Sequence, residues 1–261
     1  MRVTMFHNSV LKNQLGFNMV ELLVALAVSS LVVGVALVTF TKQQTLFKNQ
    51  IDNTNIRALG RYSVQDLIRD LRMLGFGLPS NDDITVATST SITYMSNTSK
   101  LTTTIPSTVN AGANSFTVTN ATGFAAGNNV VIYDAFANTV SDLKVISSIA
   151  GNVVTLTSTL ANSYSGTNIM SAYNTIVYTY DSANTKITRS LNGAVNDILG
   201  DVTSLTFVYK DKTDTVITSP VSAGNFSKIH KIEISITSQD PKNPLAITTF
   251  NTHVNLRNMD Q

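Results

Sequence analysis

The 261-residue chain contains no cysteine and no tryptophan, and only 13% of its residues are charged. Without cysteine the protein has no disulfide, no thiolate metal site and no thiol nucleophile. The net charge is +2, without a cluster of basic residues of the kind that binds nucleic acid. The sequence therefore predicts no nucleic-acid partner, and the compartment must be inferred from other features.

Catalytic and metal-binding patterns are missing as well. There is no nucleophile elbow, phosphate-binding loop or zinc motif. His230 shares a strand face with Ile232, so we interpret it as a hydrogen-bonded strand histidine and not as a metal ligand. Asp211, Thr213 and Asp214 crowd a turn, but the glycine and terminal glutamate of a strong calcium loop are absent, which favours a solvated hairpin. We predict no enzyme activity, no cofactor and no metal site.

Charge and proline are both absent from a long stretch near the N-terminus. No proline precedes Pro79, and no charged residue occurs from Leu22 to Val38. With its flanks, the segment 17–40 has 24 residues and would form a helix about 36 Å long, which is enough to cross a bilayer. Glu21 lies near one end of this segment. It is either a functional acid, which needs a partner, or a glutamate at the level of the lipid head groups. We predict that 17–40 is the transmembrane half of a long helix.

The same segment permits a second interpretation, a conventional secretory signal. The residues before Gly16 include bases and no acid, and Ala25-Leu26-Ala27 imitates a cleavage site. However, the apolar run continues at least eleven residues past Ala27, and Glu21 would interrupt the apolar region of such a signal. Basic residues lie on both sides of the segment, so their count does not decide its orientation.

The sequence Gly16-Phe17-Asn18-Met19-Val20-Glu21 opens the apolar run. It resembles the prepilin signature of type IV pilins and type II secretion pseudopilins, which is a glycine, a cleaved bond, a phenylalanine and a glutamate four residues later. The resemblance implies that 1–16 is a leader, that the Gly16–Phe17 bond is cut, and that Phe17 is N-methylated. It implies a role in assembly for Glu21.

The physical logic of that signature also holds for these residues. Cleavage leaves a cationic amine on Phe17, and the Glu21 carboxylate one helical turn away can neutralise it. In a filament the carboxylate can instead pair with the amine of a neighbouring subunit and fix the axial register. Asn18-Met19-Val20 replaces the commoner Thr-Leu-Ile, and the helix lacks the proline that major pilins often carry, which argues against a major pilin.

Beyond Thr41 the helical pattern becomes amphipathic. Its apolar stripe consists of Ile56, Leu59, Ser63, Leu67, Leu71 and Leu74, with Val64 and Ile68 beside it. We expect the helix to end near Leu74, so that 41–78 holds its amphipathic half and the glycine-containing turn before Pro79. The segment 61–76 contains the core Arg69-Asp70-Leu71-Arg72, followed by Met73-Leu74-Gly75. It resembles the end of the long helix in PilW-type minor pilins, and such a core also recurs in J-type pseudopilins.

After Pro79 the composition changes to Thr, Ser, Asn, Val and Ile in short alternating runs, which predicts strands. The expected strands outside the middle block are 90–95, 175–180, 186–189, 205–209, 229–237 and 245–256. Their succession resembles the PilW-type globular domain, so we assign 79–104 and 171–261 to a pilin-like β domain. The dense block of strands and turns at 105–170 is predicted to be a small inserted β module without an assigned activity.

The predicted fold class is therefore α+β: a long N-terminal helix packed on an antiparallel β-sheet domain that carries the inserted module. The resemblance implies a minor pilin that helps to initiate or cap a type IV pilus. Its implied partners are prepilin peptidase, other minor and major pilins, the inner-membrane assembly platform and membrane lipid. It implies a single pass through the inner membrane, with a cytoplasmic leader and a periplasmic C-terminal domain that becomes surface-exposed in the pilus.

Two alternatives remain open on the sequence. A J-type minor pseudopilin of type II secretion shares the anchor and the helix. A membrane-tethered binding or adhesion domain belongs to a different class, and it would keep residues 1–16 because it is not processed.

The cleavage site gives a direct test. Replacing Gly16 by valine should block processing, because a side chain there would obstruct close approach of the peptidase to the backbone. Intact-mass analysis after coexpression with a prepilin peptidase measures the loss of residues 1–16. Equal cleavage of the variant and the parent would remove the site assignment.

Overall fold

The structure is a computed structural model that describes residues 18–79, 83–134, 140–164, 168–241 and 243–256. These residues form one long helix, α1 (Met19–Leu71), a 3-10 helix (Ala223–Lys228) and fifteen strands. The chain divides into two compact units, Met1–Ile51 and Asp52–Gln261. The described part of the first unit is helical, and the second contains the rest of α1 and all the strands.

All pairings between the strands are antiparallel. In chain order they are β1 (Ile84–Ala87), β2 (Ser91–Ser96), β3 (Thr102–Ile105), β4 (Ser115–Thr117), β5 (Asn129–Asp134), β6 (Ser141–Ala150), β7 (Val153–Leu156), β8 (Asn168–Ala172), β9 (Asn174–Asp181), β10 (Lys186–Leu191), β11 (Ala194–Leu199), β12 (Val202–Lys210), β13 (Val216–Ile217), β14 (Lys231–Asp240) and β15 (Asn243–Asn255). The α+β fold class is confirmed.

Helix α1 ends at Leu71, three residues before the position expected from the sequence. Residues 72–77 form turns, in which Gly75 and Gly77 have φ angles of 69° and 71° that favour glycine. The N–H of Gly75 donates to the carbonyl of Met95 on β2 (3.0 Å) instead of continuing the helix. The strand therefore takes over the hydrogen bonding where the helix stops.

The buried face of α1 in the second unit follows most of the predicted stripe. Ser63, Val64, Leu67, Leu71 and Leu74 are buried, as expected. The prediction was wrong for Leu59, which is 61% exposed. The next residue, a glycine, occupies the buried face instead, where a Cβ would clash with the ring of Phe250. A close helix–sheet contact therefore displaces the leucine.

Two sheets share one core with this part of the helix. The five-stranded sheet has the order β1-β2-β9-β10-β11, and the four-stranded sheet has the order β13-β12-β14-β15. In β14 the side chains of Ile232, Ile234 and Ile236 are buried, while the residues between them are more exposed, which is the predicted alternation. The sheets are joined by a bond from the N–H of Phe207 to the carbonyl of Ser89 (2.8 Å).

The last turn of α1 is tied to the five-stranded sheet by an ion pair. The Asp70 carboxylate accepts hydrogen bonds from Arg189 Nε (2.6 Å) and from the hydroxyl of Tyr178 (2.9 Å). The Asp70 and Arg189 side chains are only 14% and 23% exposed. Burial, followed by the neighbouring Asp70 carboxylate, raises the pKa of Tyr178 above its ordinary value. Tyr178 therefore stays a hydrogen-bond donor near neutral pH.

A third sheet is built from β3 to β8, in the order β3-β8-β5-β6-β7-β4. It encloses its own buried cluster, which includes Ile105, Ile132 and Met170. Its strands span 102–172, slightly more than the block 105–170 expected from the sequence. The interpretation of this sheet as a module inserted in a pilin-like domain stays a prediction.

A buried polar junction connects the end of the helix to this third sheet. The Ser171 hydroxyl on β8 donates to the carbonyl of Gly77 (2.8 Å), and Asn97 Nδ2 donates to Ser171 Oγ (2.9 Å). The N–H of Asn97 also donates to the carbonyl of Phe76 (2.8 Å). The turn after α1 thus positions both β2 and β8.

The ion pair of Asp70 with Arg189 can be measured by a double-mutant cycle. We expect Asp70→Ala and Arg189→Ala to be non-additive, with a coupling free energy of about 1 to 3 kcal/mol, because the two charges are largely withdrawn from water. Chemical denaturation of the full chain in detergent, followed by far-UV circular dichroism, gives the four free energies of unfolding.

The matched control for this cycle is the pair Asp66 and Arg69 on the same helix. Asp66 Oδ1 lies 3.2 Å from Arg69 Nη2, and the two side chains are 55% and 73% exposed. We therefore expect a coupling free energy below about 0.5 kcal/mol. Equal coupling in the two cycles would show that Asp70 does not anchor the helix.

Candidate functional site

Of the three predicted site residues, one lies in the described part of the chain. Gly16 and Phe17 lie outside the described residues. Glu21 is exposed in the first turn of α1, and its Oε2 accepts the backbone N–H of Asn18 at 3.2 Å. This bond satisfies one of the N–H groups that the start of a helix leaves unpaired. The carboxylate also lies at the positive end of the helix dipole.

The apolar segment of α1 is uncovered by any described part of the chain. Every residue from Asn18 to Lys48 is exposed, including the leucines and valines between Leu22 and Val38. The most apolar stretch has a mean hydropathy of 2.6, and the helix is long and apolar enough to cross a membrane. Large contiguous apolar patches are rare on soluble monomers and mark binding to a membrane or to other proteins. The segment is therefore a candidate membrane anchor.

Two hydroxyl groups of this segment are satisfied within the helix. Ser30 Oγ donates to the carbonyl of Ala27 (2.8 Å), and Thr39 Oγ1 donates to the carbonyl of Val35 (2.9 Å). Such internal bonds allow hydroxyl side chains to enter a hydrocarbon environment without losing a partner. A Cβ added at Gly34 would meet no atom within 4 Å, so this glycine faces open space within the described structure.

Two groups that the sequence offered as possible ligands have structural roles. Asp211 Oδ1 accepts hydrogen bonds from the N–H (2.8 Å) and hydroxyl (2.8 Å) of Thr213 and from the N–H of Thr215 (2.9 Å). The Thr213 hydroxyl, followed by the Thr215 N–H, lowers the pKa of Asp211. These bonds close the turn between β12 and β13, as a solvated hairpin requires. His230 directly precedes β14, where its N–H donates to the carbonyl of Lys210 (2.9 Å) and its carbonyl accepts the N–H of Leu256 (2.8 Å).

A balanced group of four charges lies on the outer face of the four-stranded sheet. Glu233 Oε1 is 2.8 Å from Lys210 Nζ and 3.2 Å from Lys231 Nζ, and Asp214 Oδ1 is 3.0 Å from Lys231 Nζ. Hydrogen bonding from Lys210 lowers the pKa of Glu233, and hydrogen bonding to Asp214 raises the pKa of Lys231. Both shifts favour the charged forms. The group is neutral overall, so it offers no net charge to a ligand.

The third sheet holds a buried carboxylate at Asp142. Its oxygens accept the N–H groups of Ala161 and Asn162 (both 3.1 Å) and the hydroxyl of Tyr164 (2.9 Å), and Lys144 Nζ lies 3.4 Å away. Burial alone would raise the pKa of Asp142, but these donors and the ammonium outweigh it and lower the pKa. All partners belong to this sheet and the loop after β7, so Asp142 holds that loop in place.

Within the described residues no group of three or more histidine and acidic side chains could hold a metal ion. The sequence did not indicate the roles of Asp70 and Asp142, because the partners of these carboxylates lie far along the chain. Only the apolar run and the position of Glu21 were visible as local signals.

Comparisons with known proteins do not assign the chain to a family. No family model matches the chain, and no curated protein matches its sequence. The chain has a local likeness to the Gp54 tailspike of Acinetobacter baumannii bacteriophage AP22, solved in complex with A. baumannii capsular saccharide. That likeness has 20% identity over 31% of this chain and 15% of the tailspike, with a TM-score of 0.25. A likeness to the tailspike gp49 from Pseudomonas phage LKA1 has 21% identity over 28% and 14%, with a TM-score of 0.23. Neither carries an argument.

The role of Asp142 predicts a pH-dependent loss of stability. Asp142→Asn should lower the free energy of unfolding by about 1 to 3 kcal/mol at neutral pH, because an amide cannot accept all the buried donors. A carboxylate whose folded-state pKa is lowered stabilises the protein above its unfolded pKa of about 3.9. That contribution is lost as the pH falls through the lower folded-state value, so the parent and the variant should converge in acid.

Denaturation of the full chain in detergent at neutral and acidic pH checks this expectation. The control is Asp197→Asn, whose side chain is 60% exposed and whose effect should stay within about 0.5 kcal/mol. A stability difference between Asp142→Asn and the parent that does not change with pH would contradict the assignment.

Proposed function

We propose that the protein is a minor pilin subunit of a type IV pilus, cut by prepilin peptidase between Gly16 and Phe17 and N-methylated on Phe17. The observation that carries the proposal is the position of Glu21. Its carboxylate lies against the backbone at the N-terminal end of an exposed helix of membrane length. This is the place where processing would create a new positive charge.

The geometry supports pairing of Glu21 with that new charge. Cleavage after Gly16 would leave the amine on Phe17, one residue before Asn18, whose N–H already donates to Glu21 Oε2 at 3.2 Å. A carboxylate has two oxygens and several acceptor positions, so Glu21 can accept from Asn18 and from an amine together. In a filament the amine of a neighbouring subunit can replace its own.

The exposed apolar part of α1 supports the proposal of a subunit that moves from lipid into a filament of other helices. All residues from Leu22 to Val38 are exposed in the described structure. Lipid covers this surface while the subunit waits in the inner membrane, and the helices of other pilins cover it after assembly. Since α1 continues without a break from Met19 to Leu71, the same helix also carries the β-rich unit.

The proposed topology follows from the resemblance of the N-terminal segment to prepilins. The leader, 1–16, lies in the cytoplasm, the anchor crosses the inner membrane once, and the unit Asp52–Gln261 lies in the periplasm until assembly. The partners in this proposal are prepilin peptidase, the assembly platform, and the other minor and major pilins. A J-type pseudopilin of type II secretion would use the same anchor, and neighbouring genes for a secretin or for a retraction motor separate the two systems.

The experiment compares Glu21→Ala with Glu21→Gln. Both variants should insert and be cut, because the anchor is strongly apolar without the acid. Both should fail in assembly, since breaking a buried charge pair on one side costs roughly 3 to 5 kcal/mol, or more than about 100-fold in assembled subunit. The measurements are cleavage by intact mass, capture of partner pilins, and a count of surface pili in a strain with only the variant copy.

The glutamine variant is the matched control for helix capping, because its side-chain oxygen can still accept the Asn18 N–H. Normal piliation with Glu21→Gln, together with failure of Glu21→Ala, would show that capping and not charge pairing matters. Normal piliation with both variants would favour a tethered domain that keeps residues 1–16.

A further inference from the structure

The sequence contains one asparagine that is followed by glycine, at Asn192-Gly193, and the proposed function gives it no role. These two residues form the whole loop between β10 and β11, because Leu191 pairs with Ala194. Asn192 is exposed and has a φ of 49°, and Gly193 has a φ of 89°. Positive φ at both central residues is typical of the type I′ turn, whose twist matches that of a hairpin.

An asparagine before glycine is a chemical reaction site wherever the chain is free to rotate. The glycine nitrogen attacks the side-chain carbonyl carbon of the asparagine and closes a five-membered imide. The bond from that carbon to Nδ2 breaks, and Nδ2 leaves as ammonia with the proton of the glycine N–H. Water then adds to either imide carbonyl and yields aspartate or isoaspartate. Glycine favours the attack because it has no side chain to crowd its nitrogen.

The backbone of the folded turn keeps the two reacting atoms apart. Ring closure requires the Gly193 nitrogen to lie on the same side of the Cα–C bond as the Asn192 Cβ. A residue in the left-handed region, with ψ about +47°, places the next nitrogen nearly opposite to its own Cβ. The φ of 49° puts Asn192 in this region. The peptide must therefore rotate out of the turn before the attack, which breaks the pairing of Leu191 with Ala194.

Hydrogen bonds hold the side chain of Asn192 as well. Its Oδ1 accepts the N–H of Thr175 (2.8 Å), and its Nδ2 donates to Asn174 Oδ1 (2.6 Å). The N–H of Asn192 donates to the carbonyl of Thr175 (2.9 Å). Both ends of the amide are thus bound to β9, the strand beside β10. The side chain must leave β9 before its carbonyl carbon can meet the Gly193 nitrogen.

The position of the hairpin in its sheet makes opening accessible. β11 is the last strand of the five-stranded sheet, and its residues from Ala194 to Asp197 are exposed. Segments with few buried contacts open at a lower free energy than the core of the same domain. The turn can therefore open without unfolding of the whole unit.

We propose that Asn192 is a deamidation site whose reaction is gated by opening of the β10–β11 hairpin. The closed turn blocks the attack through its backbone geometry and its side-chain bonds, and the open hairpin permits it. The conversion rate of the folded chain is then the rate of the open chain multiplied by the fraction of time that the hairpin is open. Conversion at Asn192 thus records the time that the hairpin has spent open, whether or not the protein is a pilin.

Conversion changes the contacts at the place where the third sheet joins the five-stranded sheet. Asn174, which accepts the Asn192 amide, also donates through Nδ2 to Thr98 Oγ1 (2.6 Å) in the turn between β2 and β3. A carboxylate at position 192 has no N–H for Asn174, so two acceptor oxygens would face each other there. The converted hairpin is therefore held less firmly to β9 and opens more often.

Incubation of the full chain in detergent, folded in one sample and unfolded by guanidinium chloride in the other, tests the proposal. Both samples stand at the same temperature and mildly alkaline pH, and tryptic peptides are then sequenced by tandem mass spectrometry. We expect the unfolded chain to convert Asn192 about 100-fold faster or more, because the folded turn must first open. Asn196 lies in the same tryptic peptide and is the internal control. It precedes Asp197, whose side chain crowds the attacking nitrogen, so it should keep its amide.

Asn174→Ala separates the side-chain bond from the turn. The variant removes the acceptor for Asn192 Nδ2 and keeps the backbone of β9. The folded variant should convert Asn192 roughly 2- to 10-fold faster than the folded parent, as expected for the loss of one hydrogen bond. The matched control is Asn184→Ala, at an exposed turn asparagine that bonds to Asp181. This control should convert Asn192 at the rate of the parent.

Three results would overturn the proposal. They are equal conversion of Asn192 in the folded and unfolded chain, equal conversion of Asn192 and Asn196 in the unfolded chain, and an unchanged rate in a folded Asn174→Ala variant. The comparison of the folded with the unfolded parent requires no substitution, so it decides the matter even if Asn174→Ala does not fold.

Discussion

The structure depends on one constraint: a single helix must satisfy two different surroundings without a break. From Leu22 to Val38 α1 has no charge and no partner in the described chain, whereas from Gly60 onward one face is buried against sheets. Apolar side chains all around suit the first environment, and a narrow apolar stripe suits the second. The transition needs no turn, because only the pattern of side chains changes and the backbone hydrogen bonds continue.

At the end of the helix, an ion pair and the apolar stripe together fix the position of the helix on the sheets. Burial of leucines is non-directional, so it holds a helix on a sheet without fixing its rotation or its axial position. The paired charges of Asp70 and Arg189, with the Tyr178 hydroxyl, have one geometry that satisfies all three groups. This pairing and the close approach at Gly60 set the position of the helix, and the turn after it then places β2 and β8.

Sequence reasoning was reliable where the signal is local and failed where it is not. Absence of charge predicted the apolar helix, and the isoleucine alternation of β14 predicted its buried face. The helical pattern wrongly placed Leu59 on the buried stripe, because Phe250, which packs against Gly60, comes from a strand nearly two hundred residues away. Sequence reasoning did not divide the β half into three sheets, since pairing between distant strands leaves no mark in a short window. Of the candidate site, the position of Glu21 was predictable from the sequence, and its hydrogen bond with the N–H of Asn18 was not.

The place where the chain enters and leaves the third sheet bears on the order of folding. Ser96 at the end of β2 lies directly opposite Asn174 at the start of β9, so everything between them is an excursion that starts and finishes at one paired position. Pairing of β2 with β9 is a slow, non-local event if the intervening chain is unfolded. Once β3 to β8 have formed their own sheet, the two ends are already neighbours, and the remaining loop closure resembles that of a hairpin. Prior folding of the third sheet would therefore shorten the loop that β2 and β9 must close to pair.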